Sequence, residues 1–237
     1  MRLILLSLFF GVLSLNAQDY PFKVGEKLDY TAEFNNVPIG YASLSVDSMQ
    51  IINNQKTYRI EFLARTGNFG DMFYKIRDHI NVWLDKKDLF THKIKKNIRE
   101  GSYRKKIETI FDYEKMIAIN GKDTTVILQN IVDPYSLFYL LRTVSLDEDS
   151  PMIFSTYENK KVKEIKFKVG TKAVINSPLG SFTCIPVKPF NVDRSLFKNQ
   201  GSMKIWFSED KRRLPVKIQI KLKFGSLTLL LKKISYE

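Results

Sequence analysis

The residues that usually carry reactive chemistry are scarce in this chain. One cysteine, Cys184, and two histidines, His79 and His92, are spread over 237 residues. A lone cysteine excludes an internal disulfide, and its place in the β-rich run SFTCIPV reads as an inert core thiol. Two histidines exclude most zinc centres, which draw three or four His, Cys or carboxylate ligands at local spacing. A serine hydrolase needs a base beside its nucleophile, and no Gly-x-Ser-x-Gly run accompanies either histidine. In YKIRDHINVW, His79 alternates with Asp78, so the two leave opposite faces of one strand and cannot orient each other. GNFG (Gly67–Gly70) is too short for a phosphate loop and follows no strand-to-helix pattern. The acidic run LDEDS (Leu146–Ser150) lacks the glycine of a calcium loop and reads as a solvated turn. No metal, no cofactor and no assignable catalytic residue is the expectation.

Acidic residues are also in deficit, 25 against 38 lysines and arginines, a formal charge of +13. That balance favours anionic partners, whether nucleic acid, phospholipid headgroups or acidic glycans. Long apolar runs are limited to one. Met1-Arg2 is followed by LILLSLFFGVLSL and then NAQDY, too short a run to cross a bilayer comfortably. It reads as a signal peptide, residues 1–17, cut after Ala17, although Leu15 is larger than such sites prefer. An uncleaved anchor is the rival reading, and no cysteine follows the run to carry a lipid. An exported, periplasmic protein is expected, soluble or peripherally associated with the envelope and not transmembrane after cleavage. Such a protein meets no genome, so nucleic acid leaves the list of partners.

What the chain has is alternation. Apolar residues make up 44% of it, enough for a packed core, and they recur at every second position in short runs. KLDYTAEF, IGYASLSV, TYRIEFLA and THKIKKNI are examples, punctuated by Asn35-Asn36, Asn120–Asp123 and Ser177–Gly180. About a dozen strands are counted, spaced as in sandwiches and barrels. One segment departs. In DPYSLFYLLRTV, Asp133 caps, Pro134 suits the first helical position, and Leu137, Phe138, Leu140, Leu141 and Val144 recur at helical spacing. KIQIKLKF (Lys217–Phe224) places Val216, Ile218, Ile220, Leu222 and Phe224 toward a core. Lys217, Lys221 and Lys223 then face water, as a solvated strand face or as a basic patch for an anionic envelope component.

Several runs together resemble a known family. VGEKLDYTAEFNNVPIGYASLSV (Val24–Val46) resembles the opening of the DUF3108 family of exported bacterial proteins. YKIRDHINVWLD (Tyr74–Asp85) with REGSYRKK (Arg99–Lys106) resembles its middle, and DPYSLFYLLRTV (Asp133–Val144) its single helix. LGSFTCIPVKP (Leu179–Pro189) and MKIWFSEDKRRLPVKI (Met203–Ile218) resemble its C-terminal half. The lysine-rich composition and NAQ at the expected cut are similar to Bacteroidetes members. The resemblance implies a curved antiparallel sheet or partly open β-barrel around a helix, and no assigned function. The fold expectation is therefore mostly β. Residues 18–237 are expected to form a single domain, with one inserted α-helix at about 133–145.

Candidate ligand-binding residues are Asp78, Glu100, Tyr103 and Arg142. Glu100 stands among Arg99, Arg104 and Lys105, which suits ion pairing. Arg142 ends an apolar helix, where a cation suits the helix dipole. If buried it needs a carboxylate, and Asp78 or Glu100 is the expected partner. The expected function is non-catalytic: holding an apolar or amphipathic envelope ligand in the concave face, or acting as an assembly partner. The alternative is a hydrolase of envelope glycans using paired carboxylates. An outer-membrane barrel is disfavoured, because outward lysines at mid-strand are costly in lipid.

Overall fold

The computed structural model describes residues 20–128, 130–147, 152–158, 160–190 and 202–236. The expected signal peptide and residues 148–150 of the acidic run lie outside the described residues. The strands are β1 (Glu26–Phe34), β2 (Val37–Ile52), β3 (Gln55–Thr66), β4 (Arg77–Asp85), β5 (Thr91–Glu100), β6 (Tyr103–Asp112), β7 (Ile117–Asn120) and β8 (Asp123–Val126). After them come β9 (Met152–Glu158), β10 (Lys161–Val169), β11 (Ala173–Ser177), β12 (Gly180–Phe190), β13 (Met203–Ser208), β14 (Pro215–Leu222) and β15 (Gly225–Tyr236). A short helix α1 (Asn68–Asp71) joins β3 to β4, and α2 (Ser136–Thr143) lies between β8 and β9.

All fifteen strands enter one antiparallel sheet, ordered β8-β7-β6-β5-β4-β3-β2-β1-β15-β14-β13-β12-β10-β9, with β11 on β12. The long-range pairing of β1 with β15 joins its two halves. Turn chemistry explains the hairpins. Asn35-Asn36 (φ 49 and 66°) and Asn53-Asn54 (φ 49 and 61°) each put two residues at positive φ. Two-residue connections need this to match strand twist, and asparagine tolerates it. The alternation in sequence becomes a concave apolar face: Leu28, Tyr30 and Ala32 of β1, Leu44 and Val46 of β2, and Ile80 and Val82 of β4 are buried.

The sheet curls without closing. Among the described residues there is no ladder between β8 and the β9–β10 turn. Thr125 Oγ1 donates to the Lys160 carbonyl at 3.2 Å, and Lys160 pairs with Asp123. One strip of chain bridges the gap at one end. Thr91 N–H donates to the Ile131 carbonyl and Val132 N–H to that of Ser155, both at 2.9 Å, with a parallel bridge from Val132 to Thr156.

Helix α2 follows this strip and fills that end. Asp133 Oδ1 accepts the amides of Tyr135 (2.7 Å) and Ser136 (3.3 Å), while Asp133 N–H donates back to Ser136 Oγ at 2.9 Å. This reciprocal satisfaction of first-turn groups starts the helix. The helix proper is shorter than the expected 133–145, because Pro134 and Tyr135 form the capping turn. Leu137, Tyr139 and Leu141 are buried, while Phe138, Leu140 and Val144 pack partly buried against the core.

One expectation fails locally. Strand β14 ends at Leu222, so Lys223 and Phe224 form the hairpin turn, and Phe224 is 80% exposed rather than in the core. Gly225 is the cause. Its φ of +146° turns the chain there, and a Cβ on it would sit 2.5 Å from Asn35 Oδ1.

Candidate functional site: an apolar cavity at the open end

The end of the sheet opposite α2 carries the β1–β2, β3–β4, β5–β6 and β14–β15 connections, and these build a cavity. Asn35 N–H donates to the Ser226 carbonyl (3.0 Å) and Asn35 Oδ1 accepts from Ser226 N–H (2.8 Å), locking two turns side by side. The β3–β4 connection is held from both ends. Arg77 donates to Asp71 at 3.0 and 2.6 Å, Thr66 Oγ1 accepts Ile76 N–H at 2.9 Å, and Thr66 also donates to Asp71. These hydrogen bonds, Arg77 first, hold the Asp71 carboxyl below its ordinary range. Gly70 lies so close under Ile39 that a Cβ would be 2.3 Å from the Ile39 carbonyl oxygen. The close approach turns Phe69, Phe73 and Tyr74 around the opening.

The cavity encloses about 700 Å³ between these aromatics and Phe34, Ile220, Leu222 and Leu227 of the sheet. Its walls are apolar, and Glu100 stands at its edge. The Glu100 carboxyl is pushed up by burial, then by the neighbouring Asp78 charge and by a hydrogen bond with the Asp78 side chain. An ionised carboxyl beside another in a partly buried setting is disfavoured, which is the cause of the rise at Glu100. Asp78 also accepts the Arg99 amide at 2.9 Å.

Two of the four candidates thus meet, and Tyr103 joins them as the cross-hairpin partner of Glu100, half exposed. All three lie on the concave side, since Asp78 shares parity with Ile80 and Glu100 with Ile98 and Ile94. Arg142 does not belong here. Its partner is Glu26, at 2.5 and 3.0 Å, at the α2 end. Neither Asp78 nor Glu100 serves it, because both lie at the other end of the strands.

The lysines divide. Lys217 is half buried, its Nζ 5.0 Å above the Trp206 ring, and Lys223 belongs to a turn. Lys221 joins Lys168, Lys188 and Lys204 around an outer-face depression of about 380 Å³ beside Trp206. Lys168 stands directly opposite Lys188 across the β10–β12 ladder. The histidines are held by carboxylates: His79 Nε2 is 2.7 Å from Glu61 Oε1, and buried His92 Nε2 is 3.1 Å from Asp85 Oδ2. Missing from the expected residues are Phe69, Phe73 and Tyr74. Their signal is GNFGDMFYK (Gly67–Lys75), four large apolar side chains in a segment with no strand period.

A half-closed antiparallel sheet with an apolar cavity at its open end defines a barrel-like fold without a catalytic constellation among the described residues. The chain belongs to the DUF3108 family of proteins of unknown function, whose model matches residues 29–232. Among curated proteins none matches the sequence. A β-barrel-like protein of the DUF1849 family from Brucella abortus shares the fold at 10% identity and a TM-score of 0.59, over 90% of this chain and 98% of its own. A candidate exported protein with a YmcC-like fold from Bacteroides fragilis aligns at 10% identity and TM-score 0.40, over 91% and 98% of the two chains. A candidate lipoprotein from Parabacteroides distasonis aligns at 9% and 0.39, over 91% and 97%. Among the described residues no helix is long and apolar enough to cross a membrane.

Proposed function

We propose that this protein is an exported, non-catalytic carrier or holder of an amphipathic envelope molecule, whose apolar part occupies the open-end cavity. The observation that carries this reading is the cavity itself: about 700 Å³, walled by aliphatic and aromatic side chains, with a few polar groups at its edge. Sites for small amphipathic ligands have this size and this lining. Helix α2 fills the far end, and the cavity opens between the β1–β2, β3–β4 and β14–β15 connections. Polar atoms of the ligand meet the Glu100 carboxyl at this edge, which accepts hydrogen bonds when ionised and also donates when protonated. The leader-like residues 1–17 support the envelope as the place of action.

Titration with an environment-sensitive fluorescent fatty acid tests the reading. Saturable binding is expected, abolished by Ile220→Trp, which fills the cavity from its floor. Binding by the wild type and by I220W with equal affinity would place the ligand elsewhere and sink the proposal.

A further inference from the structure

We infer that the open end is a docking face for the surface of an anionic lipid bilayer. The inference rests on the cavity reading only for its purpose; the surface stands on its own. Met72 (79% exposed), Phe73 (74%) and Phe224 (80%) are among the most exposed large apolar side chains described. They come from two connections far apart in sequence, β3–β4 and β14–β15, at the same end of the sheet: Phe73 lines the cavity, Met72 precedes it, and Phe224 is two residues past the lining Leu222. A two-residue turn gains nothing in stability from a phenylalanine in water. Apolar tips of this kind, clustered on one end, mark a surface that meets something apolar.

The charge around these tips selects the partner. Lys75 and Lys223 adjoin the lining residues Tyr74 and Leu222, and Arg104 donates to the Gly101 carbonyl in the β5–β6 connection at this end. All three are exposed, and among the described residues none of them is ion-paired. The carboxylates that could neutralise them are spent elsewhere. Asp71 is held by Arg77 at 2.6 Å, Asp78 accepts the Arg99 amide, and Glu100 is partly buried with its carboxyl pushed up. Lys223 Nζ lies 5.1 Å above the Phe224 ring, so cation and apolar tip present themselves together. Aromatic and methionine tips with lysine and arginine beside them are the chemistry of an interfacial contact, apolar groups entering the headgroup boundary and cations staying at lipid phosphates. A soluble acidic protein would satisfy the cations and leave Met72 and Phe224 unexplained. In this pose the cavity mouth faces the bilayer, and an amphipathic molecule passes between them without crossing water.

The test is cosedimentation of the purified exported protein with vesicles of phosphatidylcholine alone or mixed with phosphatidylglycerol. Binding to the anionic vesicles is expected, weaker on neutral ones and weakened by salt. The double variant Met72→Ser, Phe224→Ser should bind about tenfold more weakly or worse, and Lys75→Gln with Lys223→Gln should lower binding to anionic vesicles only. Thermal melts of both variants should match the wild type, since the replaced side chains are exposed. Wild-type binding that ignores lipid charge, or that survives M72S/F224S, overturns the inference. So does loss of binding on replacing Lys168 and Lys188 instead, which would move the contact to the outer face. M72S/F224S should still bind the fluorescent fatty acid, and I220W should still bind vesicles. The failure of docking and the failure of the cavity are thereby told apart.

Discussion

Arg142, at the end of α2, and Glu26, at the first position of β1, form a fully buried bidentate ion pair across 116 residues of sequence, at 2.5 and 3.0 Å. Every nitrogen of the guanidinium has an acceptor. It also donates to the Pro21 carbonyl at 2.6 Å and the Arg212 carbonyl at 3.1 Å, and it lies over the rings of Phe22 and Tyr139. The pair therefore fixes where α2 sits against the β1 end and the β13–β14 turn.

Breaking one side strands a buried charge. Arg142→Met and Glu26→Leu should each cost roughly 3–5 kcal/mol, with the double variant losing far less than the sum. Urea denaturation of the four proteins checks this. Strictly additive losses would mean that the two side chains do not act as a unit.

Glu100 makes a pH prediction. Its folded pKa is raised by burial and by Asp78, above an ordinary value of about 4.3 in the unfolded chain. The stability tied to its proton is complete below that ordinary value, and it is lost as pH rises through the folded one. Glu100→Gln keeps a neutral donor toward Asp78 and does not titrate. The variant's melting temperature should therefore fall less than the wild type's between the ordinary carboxylate range and neutrality. Parallel curves would show that Glu100 is not the group responsible.

Much of this was readable beforehand, and the parts that were not have physical reasons. Strand alternation fixes faces by parity, so the concave positions of β1, β4 and β5 follow from spacing alone. The same parity places Glu26 with Leu28 and Tyr30, and Asp78 with Ile80, on the buried side. Which of these carboxylates meets Arg142 depends on which end of the sheet α2 covers, and that is a tertiary fact with no local signal. Phe224 misleads because parity says nothing about where a strand stops. The stop is set by Gly225 against Asn35, residues 190 apart in the chain. The cavity wall from GNFGDMFYK was hidden for a related reason. Its apolar residues sit in a turn held by Arg77 and Asp71, and no period marks them.

Helix α2 separates two neighbouring leucines. Leu141 is fully buried, whereas Leu140 is only partly so. Leu141→Ala should cost about 2–5 kcal/mol, from lost transfer energy and the cavity left behind. Leu140→Ala should cost distinctly less. Denaturant midpoints read the difference, and equal losses would mean that the helix is rotated about its axis.

The outer-face lysines close the set. Like charges directly opposite in an antiparallel ladder are destabilising, and Lys168 faces Lys188 in that way, with Lys204 and Lys221 around the same depression. Single replacement of Lys221 or Lys223 by Gln should change stability by no more than about 0.5 kcal/mol, since neither side chain supports the core. Lys188→Glu turns repulsion into attraction and should stabilise by roughly 0.2–1 kcal/mol at low salt. Salt should act in opposite directions on the two proteins. It screens a repulsion in the wild type and so raises stability, whereas in K188E it screens an attraction and removes the gain. Denaturation at low and high ionic strength measures both slopes. If the slopes share a sign, another anion already neutralises these lysines or they are not close enough to feel one another, and the outer face carries no cluster.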